Sequence, residues 1–230
     1  MKVEQSPMRR SAPISPQPRS ETQQPLVIIV DDDTSVRNAL SELILSAGFQ
    51  PVSFASIREL LDANVLDGPG CLIVDVRMPG ASGLDLQRHL TQNGNTKPII
   101  FLTGHGDIPM TVQAMKAGAV DFLTKPPRDQ TLLDAVRAGI AMDAARRVEA
   151  VVVKRNVERL QTLTPRERQV LREVARGRLN KQIAFDLGIS EVTVKLHRCN
   201  AMRKMEVTSI CELIRAWETL PAPMREVGAT

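Results

Sequence analysis

The sequence predicts an α/β domain built on a five-stranded parallel sheet, followed by a small all-α domain. Between Pro25 and Arg137, five short apolar runs alternate with amphipathic stretches of helical spacing. The apolar runs contain few polar residues, as expected of strands that helices cover on both faces. From Leu163 onward the pattern is wholly helical and basic. These features predict two domains of different architecture.

Each predicted strand is a short apolar run followed by a polar residue. The runs cover residues 26–30, 52–54, 71–74, 99–102 and 120–123. The first run ends at Asp31, the third at Asp75, the fourth at Thr103 and the fifth at Lys125. Four of the five strands therefore deliver a charged or hydroxyl side chain at their carboxyl ends.

The predicted helices follow the strands and carry apolar residues three or four positions apart. They lie at residues 36–44, 57–61, 84–90 and 111–117, and a fifth begins near Asp129. Gly48 closes the first helix. Because residues 138–161 contain no Pro and only Gly139 as glycine, the fifth helix can continue through them as a connector.

This pattern divides the chain into a flexible Pro/Ser/Gln-rich leader (1–24), an α/β domain (25–137), a helical linker (138–161) and a helical domain (162–230). The α/β domain holds 13 acidic and 9 basic residues, a net charge of −4. Residues 162–206 hold 10 basic and 5 acidic residues, a net charge of +5. This asymmetry indicates metal or regulatory chemistry in the first domain and a polyanionic partner for the second.

Composition excludes several classes of protein. The 3 cysteines have no paired spacing, so neither a disulfide framework nor a cysteine metal site is predicted. No apolar run approaches the roughly 18–20 residues that span a bilayer, and the N-terminus lacks the apolar core of a signal peptide. We therefore expect a cytoplasmic protein that does not associate with membranes.

The polar residues at the strand ends are expected to converge. In an open parallel sheet, the carboxyl ends of the strands share one edge, where ligands bind. That edge would gather Asp31, Asp32, Asp75, Thr103 and Lys125. Carboxylates held close together repel one another, and a hard divalent cation with oxygen ligands relieves the repulsion. The sequence therefore predicts a Mg²⁺ site at this edge.

Four motifs in this domain resemble the signature of two-component receiver domains. They are VDDD at residues 30–33, VDVRMPG at 74–80, TGHGD at 103–107 and KP at 125–126. The stretch 103–121 resembles the FixJ branch of these proteins, and the resemblance covers about residues 26–145. It implies a flavodoxin-like fold and phosphorylation of an aspartate by a sensor histidine kinase.

The resemblance implies a role for each acidic residue. Asp75 would accept the phosphoryl group, and Asp31, Asp32 and Asp75 would hold Mg²⁺ together with the backbone carbonyl of Arg77. Asp33 precedes the first helix, so we expect it to cap that helix instead. A carboxylate can attack phosphorus to give an acyl phosphate, which agrees with these roles.

The resemblance also assigns residues around the phosphoryl group. Thr103 would hydrogen-bond a phosphoryl oxygen, Lys125 would pair with the phosphate, and Phe122 would turn inward when Thr103 moves. The Lys125–Pro126 bond is expected to be cis. A second proline, Pro127, stands where receivers commonly carry an aromatic residue, so the start of the fifth helix is less defined. His105 is expected to be a loop residue without a catalytic role.

The basic domain has the plan of a helix-turn-helix. A capping box that begins at Thr164 opens its first helix. A short helix starts at Asn180 and ends at Gly188, and Ser190 caps a longer helix over about residues 191–205. Two helices joined by a tight glycine turn, the second capped and basic, indicate a DNA-binding unit.

Three motifs resemble the LuxR/NarL/FixJ type of DNA-binding domain across about residues 163–225. They are LTPRE at 163–167, NKQIA at 180–184 and ISEVTVK at 189–195. The resemblance identifies the chain as a response regulator of the NarL/FixJ family, a transcriptional regulator and not an enzyme.

On the longer helix, one face is predicted to pack inward through Val194, His197, Ala201 and Met205. The opposite face presents Lys195, Leu196, Cys199 and Arg203. Lys195 is expected to reach a guanine edge, while Leu196 and Cys199 touch thymine methyl groups. The residues expected to contact phosphates are Asn180, Lys181, Thr193 and Arg198. Methyl contact or inert packing is favoured over redox sensing for Cys199.

These observations favour a transcriptional regulator that dimerises on phosphorylation and binds promoter DNA at half-sites about one helical turn apart. Two alternatives stay open. Asp31-x-Asp33 superficially fits a phosphohydrolase of the haloacid-dehalogenase kind, although Ser35 stands where that motif has Thr or Val. The chain could also bind DNA independently of phosphorylation, with the first domain serving only for dimerisation.

Overall fold

A computed structural model of the chain describes residues 24–104 and 108–226. The first domain is an α/β domain with one five-stranded parallel sheet, in the order β2-β1-β3-β4-β5. The strands are β1 (Leu26–Val30), β2 (Gln50–Phe54), β3 (Gly70–Asp75), β4 (Ile99–Thr103) and β5 (Asp121–Thr124). The fold class predicted from the sequence is confirmed. The predicted leader lies almost wholly outside the described residues.

The burial of the strands follows their place in the sheet. The three central strands β1, β3 and β4 are buried along almost their whole length. β2 is an edge strand and is longer than predicted, because it begins at Gln50 and includes Pro51. Proline is tolerated there because an edge strand leaves one row of N–H groups unpaired.

Helices cover both faces of the sheet, as two-sided burial of the strands requires. The helices of the first domain are α1 (Thr34–Ser46), α2 (Ile57–Asp62), α3 (Gly83–Gln92), α4 (Ile108–Lys116) and α5 (Asp129–Gln161). α1 and α5 pack on one face, through side chains such as Ile44 and Val136. α2, α3 and α4 pack on the other, through Leu60, Leu86 and Ala114.

Other predicted boundaries differ from the observed ones by one to three residues. α4 begins at Ile108 rather than Thr111, because Pro109 fits the first turn of a helix, where its missing N–H has no intrahelical partner. β5 covers Asp121–Thr124, one residue later than predicted. The expectation for His105 falls outside the described residues.

The helix α5 runs for 33 residues without a break. Near its middle, the carboxylate of Asp143 is buried and accepts hydrogen bonds from the Gly70 amide (2.9 Å) and from Arg147 Nε (2.6 Å). Near its end, Asn156 Nδ2 donates to Thr219 Oγ1 at 2.9 Å. The middle of α5 is therefore bonded to the first domain, and its C-terminal end is bonded to the second.

The second domain is all helical. Its helices are α6 (Pro165–Ala175), α7 (Asn180–Leu187), α8 (Glu191–Lys204), α9 (Ile210–Glu218) and α10 (Ala222–Glu226). The predicted capping box is present, since Thr164 and Glu167 each bond the other's backbone amide. The core joins Val170, Val194 and Trp217 to Leu160 at the end of α5. No helix in the described ranges is both long enough and apolar enough to cross a membrane.

Candidate functional site

The predicted convergence of polar side chains is present at the carboxyl edge of the sheet. β1 and β3 are adjacent, so Asp31, which follows β1, lies near Asp75 at the end of β3. Lys125 Nζ donates to both carboxylates, at 2.5 Å to Asp31 Oδ2 and 2.7 Å to Asp75 Oδ2. The Lys125–Pro126 peptide is cis, as expected. Three residues distant in sequence thus form one charged cluster.

Two buried carboxylates share a single ammonium group in this cluster. Asp31 and Asp75 are both buried, and burial raises the pKa of Asp31 although the hydrogen bond from Lys125 opposes the rise. For Lys125, burial would lower the pKa, but its hydrogen bonds to Asp31 and Asp75 outweigh that effect and hold the pKa above the ordinary value. The cluster is not neutral, because the two carboxylates together carry more negative charge than the single ammonium of Lys125 can compensate.

This charge imbalance fits a bound cation. Oxygens of Asp31, Asp32 and Asp75 all lie within 4.8 Å of one another, close enough to ligate one ion. Asp32 is exposed while the other two are buried, so the cluster opens to solvent on one side. Carboxylate oxygens with room for water are the ligands that Mg²⁺ prefers.

Neighbouring residues fix the orientation of these carboxylates. Asp75 Oδ1 accepts a hydrogen bond from the Arg77 amide at 3.2 Å, which places Arg77 beside the cluster. Asp33 Oδ1 accepts from the Ser35 amide at 2.8 Å and caps α1, as predicted. Sequence reasoning missed Arg37, whose Nη1 donates to the Asp31 carbonyl oxygen at 2.7 Å. Its only signal was an arginine in the first turns of the helix that follows the acidic run.

Thr103 and Phe122 lie on the neighbouring strands β4 and β5. Thr103 is fully buried, and its carbonyl accepts a hydrogen bond from the Lys125 amide at 2.7 Å. Because Asp75 pairs with Leu102, Thr103 is one residue beyond Asp75 along the same edge. Phe122 is half-buried, and its ring centroid lies 6.1 Å from that of Phe101. Lys125 directly follows β5, the strand of Phe122, and its amide is bonded to Thr103 on β4. The charged cluster is therefore connected through the backbone to both strands.

The second domain has the predicted helix-turn-helix geometry. Gly188 ends α7 in the left-handed conformation (φ 63°), which an L side chain rarely adopts. Ser190 then caps α8 by accepting from the Thr193 amide at 3.1 Å. α7 and α8 pack against each other, and α6 packs on α8. One face of α8 stays exposed.

The predicted DNA-contacting residues lie on α8 and at the start of α7. Lys195, Leu196, Cys199 and Arg203 are all exposed on α8. Val194, Ala201 and Met205 are buried on its opposite face, and His197 is half-buried. At the start of α7, Lys181 is exposed, and Asn180 Oδ1 accepts from Arg198 Nη1 at 3.4 Å. Thr193 Oγ1 is paired with Ser190 Oγ at 2.8 Å.

Both domains match known protein families. Residues 27–137 match the family described as response regulator receiver domain. Residues 161–217 match bacterial regulatory proteins of the luxR family. The two matches cover the charged cluster and the helix-turn-helix respectively.

The chain is similar to known regulators over most of its length. The chain is 50% identical over 195 residues to nodulation protein W of Bradyrhizobium diazoefficiens, which covers 85% of this chain and 86% of that protein. It is 43% identical over 189 residues to the transcriptional regulatory protein FixJ of Azorhizobium caulinodans, with 82% and 90% covered. The solved structure of the response regulator StyR shares 48% identity and a TM-score of 0.71, covering 85% of this chain and 98% of that one.

Proposed function

The chain belongs to the NarL/FixJ family of response regulators, and from that premise we propose that phosphorylation of Asp75 controls its binding to promoter DNA. The observation that carries the proposal is the paired contact of Lys125 Nζ with the Asp31 and Asp75 carboxylates. It places a fixed cation beside a buried carboxylate at the open edge of the sheet. The chain is a regulator, and the receiver domain is its switch.

The chemical step is a phosphoryl transfer to Asp75. A carboxylate oxygen of Asp75 attacks the phosphorus of a phosphohistidine on a sensor kinase, the P–N bond breaks, and an acyl phosphate forms. Lys125 neutralises charge on the transferring phosphoryl oxygens, which is the main demand of such a transition state. Thr103, one residue beyond Asp75 on the adjacent strand, supplies a hydroxyl for a phosphoryl oxygen.

Asp31, Asp32 and Asp75, with the backbone carbonyl of Arg77, are the groups that would hold Mg²⁺. When bound, the ion supplies positive charge to the phosphoryl oxygens and reduces the repulsion among the carboxylates. Asp33 and Arg37 support this set of ligands without belonging to it. Asp33 caps α1, and Arg37 holds the backbone carbonyl of Asp31.

The switch links this site to the surface formed by α4, β5 and α5. An acyl phosphate adds strong acceptor oxygens beside Thr103, which draw its hydroxyl towards them. Phe122 then turns inward from its half-buried position, and the surface repacks. Repacking favours a homodimer, which presents two copies of α8 to half-sites on double-stranded promoter DNA.

In the DNA-binding domain, α8 enters the major groove. Lys195 reads a base edge, and Leu196 and Cys199 contact apolar groups beside it. Phosphate contacts come from Asn180, Lys181, Thr193 and Arg198, and they position the helix without reading sequence. Arg203 lies on the groove-facing side of α8 with Lys195. The net charge of +5 over residues 162–206 supports a polyanionic partner.

The two alternatives have less support. A phosphohydrolase of the haloacid-dehalogenase kind would use Asp33 in catalysis, but its carboxylate is bonded to the Ser35 amide as a helix cap. Binding of DNA without phosphorylation would leave unexplained why two buried carboxylates are kept beside one lysine, an arrangement that burial makes costly.

The proposal is tested by labelling the full-length protein with a phosphorylated sensor kinase in the presence of Mg²⁺. We expect base-labile label on the wild-type protein and none on Asp75→Asn. Asp121→Asn, at a carboxylate outside the cluster, is the control and should label like the wild type. Label that persists on Asp75→Asn would contradict the assignment of the acceptor.

A further inference from the structure

An apolar side chain lies on the exposed face of α8, in the first turn of the helix. Val192 is the second residue of this helix, and 75% of its surface is exposed. At about 100° per residue, Val192, Leu196 and Cys199 fall within about 60° of one another. Val194, Ala201 and Met205 lie on the opposite side and are buried. Val192 therefore points directly away from the core of its domain.

Packing within the chain does not account for this strip of Val192, Leu196 and Cys199. Leu196 is 58% exposed, and Cys199 is exposed as well. A valine in an exposed first turn adds no capping contact, because Ser190 and Thr193 already form the cap. Exposed apolar side chains aligned on one helix face indicate a surface that becomes covered in a complex.

The charges beside the strip indicate what covers it. Lys195 and Arg203 are exposed on the same face, and Arg198 flanks it. Cations around an apolar centre match the major groove, where phosphates lie at the rims and base edges at the floor. Thymine alone presents a methyl group on that floor. Residues in the first turns of a recognition helix are also the ones that reach the bases.

We infer that Val192, Leu196 and Cys199 form a continuous apolar strip that reads the 5-methyl groups of thymines in the half-site. This inference rests on the proposed insertion of α8 into the major groove. It adds Val192 as a residue that determines specificity and predicts the chemistry of the target. Consecutive thymines on the strand that faces the strip are favoured, and Lys195 contacts a base at its side.

Full-length protein, activated with beryllofluoride and Mg²⁺, is used to select duplexes from a randomised DNA pool. The enriched duplex is then remade with deoxyuridine in place of one thymine at a time, which removes only the methyl group. We expect affinity to fall about four-fold at each contacted thymine, the effect of burying one methyl group. At thymines outside the strip, affinity should stay unchanged.

The variant Val192→Thr identifies which thymine Val192 contacts. Threonine keeps the shape of the side chain but replaces a methyl group with a hydroxyl, so it removes only the apolar contact. In this variant, deoxyuridine at one thymine should no longer weaken binding, while the other positions stay sensitive. Val148→Thr is the matched control, since Val148 is an exposed valine (66%) on α5. It should keep the wild-type profile at every position.

The outcomes separate this inference from the proposed function. Enriched duplexes that tolerate deoxyuridine everywhere, or a Val192→Thr variant with the wild-type profile, would overturn the methyl-reading strip and leave DNA binding in place. The strip would then be a surface for a protein partner. Enrichment of no sequence would overturn both the strip and sequence-specific DNA binding.

Discussion

At the scale of single residues, the charged cluster lowers the stability of the fold, and we attribute this cost to its function. Asp31 is buried beside Asp75, and Lys125 supplies one positive charge for the two carboxylates. Burial raises the pKa of Asp31, so its ionised form is disfavoured in the folded protein. Unsatisfied charge of this kind is typical of active sites, where it prepares the site for a ligand.

This imbalance predicts the effect of Asp31→Asn in metal-free protein. The raised pKa means that ionisation of Asp31 lowers stability as the pH rises above its ordinary value of 3.8. Asn carries no charge, so the variant should have a higher free energy of unfolding at neutral pH, and its stability should decline less between pH 4 and pH 7. Urea unfolding of both proteins in chelator, over this pH range, measures the difference.

Asp33→Asn is the matched control, because asparagine also caps helices and Asp33 is exposed. Its stability should follow the wild type across the same range. In titration calorimetry, Asp31→Asn should lose Mg²⁺ binding, whereas Asp33→Asn should retain it. An Asp31→Asn variant that is less stable than the wild type at neutral pH would contradict this interpretation.

The sequence predicts the members of the cluster because strand ends of a parallel sheet meet at one edge. Asp31, Asp75 and Lys125 could be placed together on that rule alone. Contacts that depend on side-chain reach could not be predicted. Arg37 bonds the Asp31 carbonyl, and Lys204 Nζ bonds Glu167 at 2.7 Å across 37 residues of sequence. The capping partner of Glu167, by contrast, is three residues away and is visible in the sequence.

At the scale of elements, α5 connects the two domains and is anchored in both. Asp143 accepts a hydrogen bond from the Gly70 amide at the start of β3. This contact to the first domain lies after residue 137, where the predicted first domain ended. Gly70 has φ 132°, and a Cβ there would lie 1.9 Å from the Leu26 carbonyl oxygen, so only glycine fits. Within the described chain, residues 148–155 make no side-chain hydrogen bond or ion pair.

The contact of Asp143 predicts that Asp143→Ala loosens the first half of α5. The substitution leaves the buried Gly70 N–H without its acceptor, which costs about 1–3 kcal/mol. We expect faster proteolysis within residues 138–147 and a lower midpoint of thermal unfolding for the receiver domain. Limited proteolysis with mass spectrometry, together with calorimetry, measures both.

Asp134→Ala is the control on the same helix. Asp134 pairs with Arg137 at 2.9 Å on the surface, with both side chains more than half exposed, so its loss should cost less than about 1 kcal/mol. Equal proteolysis of the two variants would contradict a specific anchor at Asp143. The continuity of α5 was visible in the sequence as a run without proline, but its anchor depends on the fold of β3.

At the scale of the whole molecule, two domains with opposite charge are joined by one helix. The receiver domain has a net charge of −4 over residues 25–137, while residues 162–206 carry +5. The negative charge of the receiver domain matches the cation proposed at the sheet edge, and the positive charge of the second domain matches DNA at α8. The fold of both domains followed from the sequence, because hydrophobic periodicity and caps are local. How phosphorylation changes the second domain could not be predicted in this way, because it depends on an equilibrium between conformations of the whole molecule and not on a local pattern.

The most direct test of this coupling is the affinity of the full-length protein for its selected duplex, measured by gel shift at fixed salt with and without beryllofluoride and Mg²⁺. We predict that beryllofluoride tightens binding of the wild-type protein at least ten-fold, equivalent to about 1.4 kcal/mol, and leaves Asp75→Asn unchanged. Equal affinity of the wild-type protein in both conditions, or an equal gain in Asp75→Asn, would contradict the account.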